Sequence, residues 1–324
     1  MNRMLLALAG ALPLLTVPSF AAAQQPAAAA PTDRKPVADL SSDDDRVRLA
    51  AVRALVENGA AKRDAVRAFV EAAKDPASFV RAEAARGLGK AGKDAVPELC
   101  DLLGDESREV RAAAAHGLAG MGAEARAALP DLAEALRDTD SDVRDAAVGA
   151  LGKMGKDAAP VALGALKDKD GKVRELGLSL LEDMPTEARR ALPAVLDALS
   201  DVEVGVRRGA ARCLGQMTDD ADAAVPALAK LFRKDQAVWV RRDACAALRR
   251  FGAKAVPVLI DALGDTKRDV RRLAASCLGD LGYDAWDALP YLYLSKNDPE
   301  RWVRCAADSA VEQIQTNNYG NGRR

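Results

Sequence analysis

Histidine occurs once in the 324-residue chain, at His116, so no site built on two or three imidazoles can be assembled from this sequence. A lone His116, followed by Gly117, reads as a surface residue, and neither a metal ligand set nor an acid-base pair is expected. The run Gly87-Leu-Gly89-Lys-Ala-Gly92-Lys93-Asp94 satisfies G-x-G-x-x-G and all but the last position of a phosphate-binding loop. That chemistry needs a strand before the glycines and a helix after them, so that backbone N–H groups converge on the anion. Here residues at helical spacing precede the glycines, and Leu-Gly-Lys-Met-Gly-Lys-Asp returns at 151–157, so the glycines mark a helix end. No catalytic residues, metal or cofactor are expected.

The elements behind these residues are repeats. Val-Arg recurs at Val47, Val80, Val110, Val143, Val173, Val206, Val240, Val270 and Val303, a near-constant period that marks one supersecondary unit copied along the chain. Apolar or small residues follow each Val at four, seven, eight and eleven positions, one stripe of an amphipathic helix. An Asp stands five residues before the Val in eight of the nine copies, and Asp75-Pro76 and Asp298-Pro299 read as an N-cap followed by the first helical residue. Gly twelve positions after the Val, at Gly59, Gly92, Gly122, Gly155, Gly252 and Gly282, ends the helix with a left-handed residue. A second helix carries Pro97, Pro130, Pro160, Pro193, Pro226, Pro257 or Pro290, and the long copies are expected to kink at the Pro.

Pro, then Asp eight residues on, then Val-Arg, then a small-residue helix ending in Leu-Gly resembles the HEAT repeat, in the short variety found in bilin lyase subunits and deoxyhypusine hydroxylase. The resemblance runs from Ser41 to Gln315 and implies an all-α fold, a right-handed α-solenoid of about nine antiparallel helix pairs. It implies Pro-bearing helices on the convex side and Val-Arg helices on the concave side. It also implies an Asp/Arg ladder between stacked repeats, here Asp105, Arg111, Asp138, Arg144, Asp168, Arg174, Asp201, Arg207, Asp265 and Arg271. The hydroxylase would need several His-Glu pairs for iron, which the single His116 excludes. The first copy departs, with Ser42 in place of Asp, and reads as a capping half-repeat.

Binding speaks through the outward positions of the Val-Arg helices. Two residues after the Val stand Arg208, Arg242 and Arg272 on consecutive repeats, with Arg212 and Arg249 on the same side and Phe79, Trp239 and Trp302 one residue before their Val. Residues 205–272 hold 15 Lys/Arg against 8 Asp/Glu, a net of +7, whereas residues 131–204 hold 10 against 16, a net of −6. Exposed Trp beside Arg is the composition of an interaction hot spot. Arg208, Arg212, Trp239, Arg242, Arg249, Arg272 and Trp302 are therefore the candidate partner-binding residues. No pair of the five cysteines has metal-ligand spacing; Cys213 and Cys277 share a register and read as small core residues about two helix-packing distances, roughly 18 Å, apart. Cys305 reads as an outward thiol that is free or bridges a dimer.

The chain begins Met1-Asn2-Arg3, then an apolar stretch from Met4 to Val17 and Ala21-Ala22-Ala23, the layout of a secretory signal peptide over 1–23 cut after Ala23. Residues 24–40 read as a flexible Ala/Pro-rich linker, 41–316 as the repeat domain and 317–324 as a disordered tail. A formal charge of −1 gives no global reason to expect nucleic acid, and the short apolar stretch argues against stable membrane insertion. The expected function is an exported, periplasmic or extracellular, non-catalytic scaffold that binds a protein or acidic peptide on its concave face. The alternative is a lyase-like or chromophore-handling subunit, implied by the bilin lyase resemblance alone.

Overall fold

A computed structural model describes residues 36–58 and 63–321, and among them every regular element is helical. The signal-peptide stretch, the linker up to residue 35 and Gly59 lie outside the described residues. The Val-Arg helices are α2 (Asp45–Glu57), α4 (Ser78–Leu88), α6 (Arg108–Met121), α8 (Ser141–Met154), α10 (Gly171–Glu182), α13 (Val204–Gly215), α15 (Val238–Arg249), α17 (Arg268–Leu281) and α19 (Arg301–Asn321). Between them run α1 (Pro36–Asp39), α3 (Arg63–Ala72), α5 (Val96–Leu102), α7 (Leu129–Ala135), α9 (Ala159–Ala165), α11 (Pro185–Arg190), α12 (Leu192–Ala198), α14 (Ala221–Lys234), α16 (Val256–Ala262) and α18 (Leu289–Ser295). Successive Val-Arg helices stack on one another, and the intervening helices pack against them as a second layer. The chain is an all-α solenoid. Two boundaries differ from expectation: α1 forms within the expected linker, and α19 runs on to Asn321, past the start of the expected tail at 317.

The buried stripe explains the stacking. Val80, Val110, Val143, Val240 and Val270 are fully buried, as are Leu88, Leu118, Leu151, Leu181, Leu214, Leu248 and Leu278 eight positions after each repeat's Val. Leu99, Leu132, Leu259 and Leu292 meet them from the other layer. Each buried Leu contributes about 2–3 kcal/mol of transfer free energy, but no single pair of helices encloses its own Leu, so the repeats hold only as a stack. Small residues let the backbones close up: a Cβ at Gly89 would sit 2.5 Å from the Gly117 Cα. The glycine run that imitates a phosphate loop is thus a packed helix end.

The Asp before each Val-Arg helix is not its N-cap. The caps lie two residues later, at Ala77, Ser107, Asp140, Asp170, Glu203, Ala237 and Lys267. The repeat Asp instead accepts a hydrogen bond from the backbone N–H two residues on, such as Ala77 to Asp75 at 2.9 Å or Ser107 to Asp105 at 2.8 Å, which folds the loop rather than starting the helix. The glycines do take positive φ, from 55° to 89°. Their ψ values, near −130° at Gly122, Gly155 and Gly282 and −175° at Gly92, lie outside the left-handed helical well in a region open to glycine. Pro does not kink the long copies either. A 3₁₀ segment, Gly122–Ala128 or Gly282–Ala288, bends at Ala125 or Ala285, and Pro130 and Pro290 sit in the first turn of the α-helix that follows, where no N–H is missed. Pro226 alone lies inside a continuous helix.

The other carboxylate oxygens of those aspartates face the preceding repeat. Arg48 pairs with Asp75 at 2.6 Å, Arg81 with Asp105 at 2.8 Å, Arg111 with Asp138 at 2.6 Å, Arg174 with Asp201 at 2.7 Å, Arg207 with Asp235 at 2.6 Å and Arg271 with Asp298 at 2.7 Å. The same guanidinium turns its Nη1 back to its own loop, as Arg174 does to the Asp168 and Lys169 carbonyls at 2.9 and 3.1 Å. Each arginine therefore closes one loop and grips the next. Ser42 fits this scheme: Arg48 uses the Ser42 and Asp43 carbonyls, 2.8 and 3.1 Å away, and among the described residues no Val-Arg helix precedes Ser42 to send it a guanidinium.

Two rungs fail. Arg144 reaches its own carbonyls at Asp138 and Thr139 but not Asp168, and Asp168 is taken by Arg137 at 2.6 Å. Asp265 is taken by Arg233 at 3.0 Å, and Arg241 turns to Asp269. Both failures fall in copies with the shorter sequence separation between the arginine and the expected Asp, the separation of Arg81 and Asp105 rather than that of Arg111 and Asp138. At both, an arginine near the end of the preceding Pro-bearing helix reaches the carboxylate first. The short rung from Arg81 to Asp105 survives; the cation ahead of Asp75, Lys74, pairs with Glu71 at 3.5 Å instead of reaching Asp105. The stack ends on polar contacts, Lys296 to Asp308 at 3.0 Å and Gln315 to the Tyr293 hydroxyl at 2.9 Å.

These contacts set two expectations. Arg174→Ala should destabilise the protein by about 1–3 kcal/mol, because it leaves the largely buried Asp201 carboxylate without its cation. Arg144→Ala, which loses only loop carbonyl contacts, should cost clearly less; equal shifts of the urea midpoint would refute the distinction. Hydrogen bonds from Arg111, Arg174 and Arg271 outweigh burial and hold Asp138, Asp201 and Asp298 below the ordinary carboxylate range. A depressed carboxylate stabilises fully above its unfolded value of about 3.9 and loses that contribution as pH falls through its lower folded value. The melting temperature should therefore fall steeply only below about pH 4, and a decline already complete at pH 5 would contradict the ladder's role.

Candidate protein-binding face

The candidate arginines and tryptophans lie on α13, α15, α17 and α19, positioned by the register that buries Val206, Val240, Val270 and Val303. Trp239 and Trp302 both precede their Val by one residue and are 60% and 68% exposed. Arg242 lies over the Trp239 ring, 5.0 Å from its centroid, and Arg301 lies 5.7 Å from that of Trp302. Each indole so presents one cation beside an open apolar face. Arg272, half-buried between them on α17, has no carboxylate partner among the described residues.

The remaining candidates do not point into water as expected. Arg208 donates to Asp243 at 2.6 Å; Arg212 bonds Glu182 at 3.2 Å and stands 3.7 Å from Asp243; Arg249 meets Asp280 at 2.5 Å. Their partners all come from adjacent repeats, so these three arginines stitch the stack together. Asp243, three positions after Val240, was the available signal, since a residue there faces the repeat before it. Arg242, Arg272 and Arg301 have no ion pair among the described residues.

Two features escaped the sequence. Cys245 and Cys277 form a disulfide between α15 and α17, with Cα atoms 6.8 Å apart and a sequence separation of 32. Cys277 is therefore not the simple core residue expected of it. The bridge joins position five of one repeat to position seven of the next, an offset that comparing equal registers overlooks. Cys213 is buried, and burial pushes its thiol up to about 12; burial, then a hydrogen bond with Asp131, does the same to Cys100. Cys305 is exposed and unpaired. The second feature is a row of exposed aromatics on the Pro-bearing layer, Tyr283, Trp286, Tyr291 and Tyr293. His116 is exposed in a shallow groove with Arg86, Arg108, Glu109, Asp142 and Asp145.

The sequence profile of HEAT repeats matches four overlapping segments, residues 35–119, 96–182, 159–249 and 225–312. The chain belongs to the HEAT-repeat family. Among solved structures, this HEAT-repeat chain is similar to Kap95p, from a complex concerned with RanGDP and nuclear import, at a TM-score of 0.59 and 15% identity over 87% of this chain and 46% of that one. It is similar to the karyopherin Kap121p bound to the extreme C-terminus of the protein phosphatase Cdc14p, at 0.63 and 13% over 88% and 39%. Importin beta aligns at 0.56 and 15% over 87% and 44%. At these identities the likeness is one of fold, and the chain spans less than half the length of these karyopherins. Comparison with curated proteins found no match.

The bridge is open to a direct check. Closing a loop of 32 residues removes enough unfolded-state freedom to stabilise by about 3–4 kcal/mol. Alkylating the oxidised protein in denaturant should label Cys100, Cys213 and Cys305 only, and Cys245→Ala/Cys277→Ala should melt several degrees lower. Labelling of all five thiols without reductant would remove the bridge.

Proposed function

We propose that this chain is an exported, non-catalytic scaffold that holds an acidic, extended segment of a protein partner along α13, α15, α17 and α19. The observation that carries this reading is the pair Trp239/Arg242 and Trp302/Arg301. Two exposed indoles recur in one register two repeats apart, each beside a guanidinium, with Arg272 between them. At about 9–10 Å per repeat, indoles roughly 20 Å apart match side chains about six residues apart in an extended segment. Carboxylates of that segment would meet Arg242 and Arg272 in charge-assisted bonds, and its apolar side chains would cover the indoles. A HEAT array suits this task because it offers a long continuous surface at low structural cost per repeat. Kap121p, with a protein C-terminus bound, is an example of the same fold so used.

Export is supported by the basic, apolar and small-residue stretches of residues 1–23 and by the Cys245–Cys277 bridge, which an oxidising compartment favours. Nucleic acid is a poorer fit than an acidic peptide for a chain of net charge −1. Among the described residues no helix is long and apolar enough to cross a membrane.

The test uses labelled peptides in which two leucines about six residues apart flank glutamates. Binding should weaken with salt, and Arg242→Glu/Arg272→Glu should weaken it by about tenfold or more while leaving the melting temperature unchanged. Arg208→Glu should instead lower the melting temperature, because it faces Asp243. Unaltered affinity in the double variant would place the ligand elsewhere.

A further inference from the structure

The last Pro-bearing segment breaks the pattern of its layer. In the corresponding long copy, the four outward positions fifteen, twelve, seven and four residues before Asp138 are Ala123, Arg126, Asp131 and Glu134, all exposed and mostly charged. The same positions before Asp298 hold Tyr283, Trp286, Tyr291 and Leu294, with exposures of 59%, 42%, 48% and 72%. Tyr283 and Trp286 stand with ring centroids 6.1 Å apart and tilted by 39°. Tyr291 and Leu294 continue into a groove of about 400 Å³ shared with Ile260, Leu263 and Asp261 of the preceding repeat. Ordinary solenoid surface does not concentrate large apolar side chains in this way; a contiguous exposed patch marks a contact surface.

Its charge selects the occupant. From Leu273 to Ser295 the chain has no Lys or Arg. Asp284 and Asp287 flank the rings, Asp261 borders the groove, and all three are exposed with no ion pair or side-chain hydrogen bond among the described residues. Lys296, just beyond this stretch, pairs with Asp308 at 3.0 Å and lies 5.1 Å from the Tyr293 ring centroid. We infer that this face is a second docking surface, for a basic, extended protein segment carrying apolar side chains: arginines over the Tyr283 and Trp286 rings and against Asp284 and Asp287, aliphatic side chains in the groove beside Tyr291 and Leu294. An acidic segment would be repelled here, whereas the Val-Arg layer of the same repeats attracts one. The two layers of repeats eight and nine thus accept ligands of opposite charge, and one protein can hold both at once.

The experiment measures binding of a short labelled peptide of alternating arginine and leucine to the folded protein, with a glutamate-leucine peptide as control. The arginine peptide should bind more weakly as salt rises, and adding excess glutamate-leucine peptide should not displace it. Trp286→Ala/Tyr291→Ala should weaken binding by about tenfold or more, and Asp284→Asn/Asp287→Asn should weaken it severalfold and flatten its salt dependence. Arg242→Glu/Arg272→Glu, on the other layer, should leave it unchanged, which keeps this result separate from that of the acidic-peptide groove. Circular dichroism and melting confirm that each variant is folded; these side chains face solvent, so both should match the parent. Failure of the arginine peptide to bind, or binding indifferent to Trp286 and Tyr291, overturns the inference. So does self-association, or adsorption to zwitterionic phosphatidylcholine vesicles, that accounts for the loss of exposure at Trp286 without any peptide.

Discussion

In six of the repeats one guanidinium does two jobs. Arg174 ties down the loop in front of its own helix through the Asp168 and Lys169 carbonyls, and with Nε and Nη2 it holds Asp201 of the next repeat. Asp201 in turn accepts the Glu203 N–H that shapes the next loop. Loop geometry in one repeat is therefore coupled to loop geometry in the following one, through charge-assisted bonds that are largely shielded from water. The buried Val and Leu stripe supplies most of the free energy of stacking, but apolar contact is tolerant of sliding. The bidentate rungs fix where one repeat sits on the last.

That constraint orders the surfaces. Because the helices stack in register from α13 to α19, even where Arg241 turns to Asp269 instead of Asp265, positions one before and two after each Val fall in line, and Trp239, Arg242, Arg272 and Trp302 share a face although they come from three separate helices. The last Asp-containing loop likewise sets the end of α18, and with it Tyr291 and Leu294. Arginine serves both purposes here. Arg208, Arg212 and Arg249 are absorbed into contacts between repeats, while Arg242 and Arg301 are held beside indoles.

Much of this is readable in the residues. The Val-Arg spacing locates all nine stacked helices, and the glycines twelve positions on take positive φ at all five described positions. The kink expected at Pro130 and Pro290 and the ends of the array are local misreadings, but those at the Asp, the two failed rungs and the cysteines share a cause: they concern contacts between repeats rather than within one. The Asp reads as an N-cap because capping is the local use of an Asp before a helix, whereas its partner is an arginine of the preceding repeat. Register alone gives rungs to Arg144 and Arg241, and it cannot reveal that Arg137 and Arg233 reach those carboxylates first. Cys245 and Cys277 differ in register and meet only because neighbouring helices are offset along their axes. The aromatic face needs a further step, the recognition that Tyr283, Trp286, Tyr291 and Leu294 occupy positions that are charged or small in the corresponding long copy.

Arg174 and Asp201 act as a pair across the repeat boundary, one of six such rungs that pin neighbouring repeats. A double-mutant cycle with Arg174→Ala and Asp201→Ala, read from urea unfolding, isolates that coupling from the loop contacts each makes alone. A coupling of about 1–3 kcal/mol is expected for this pair, and a value near zero for Arg144 with Asp168, which do not meet. Equal couplings for the two pairs, or none for Arg174 with Asp201, would contradict the ladder.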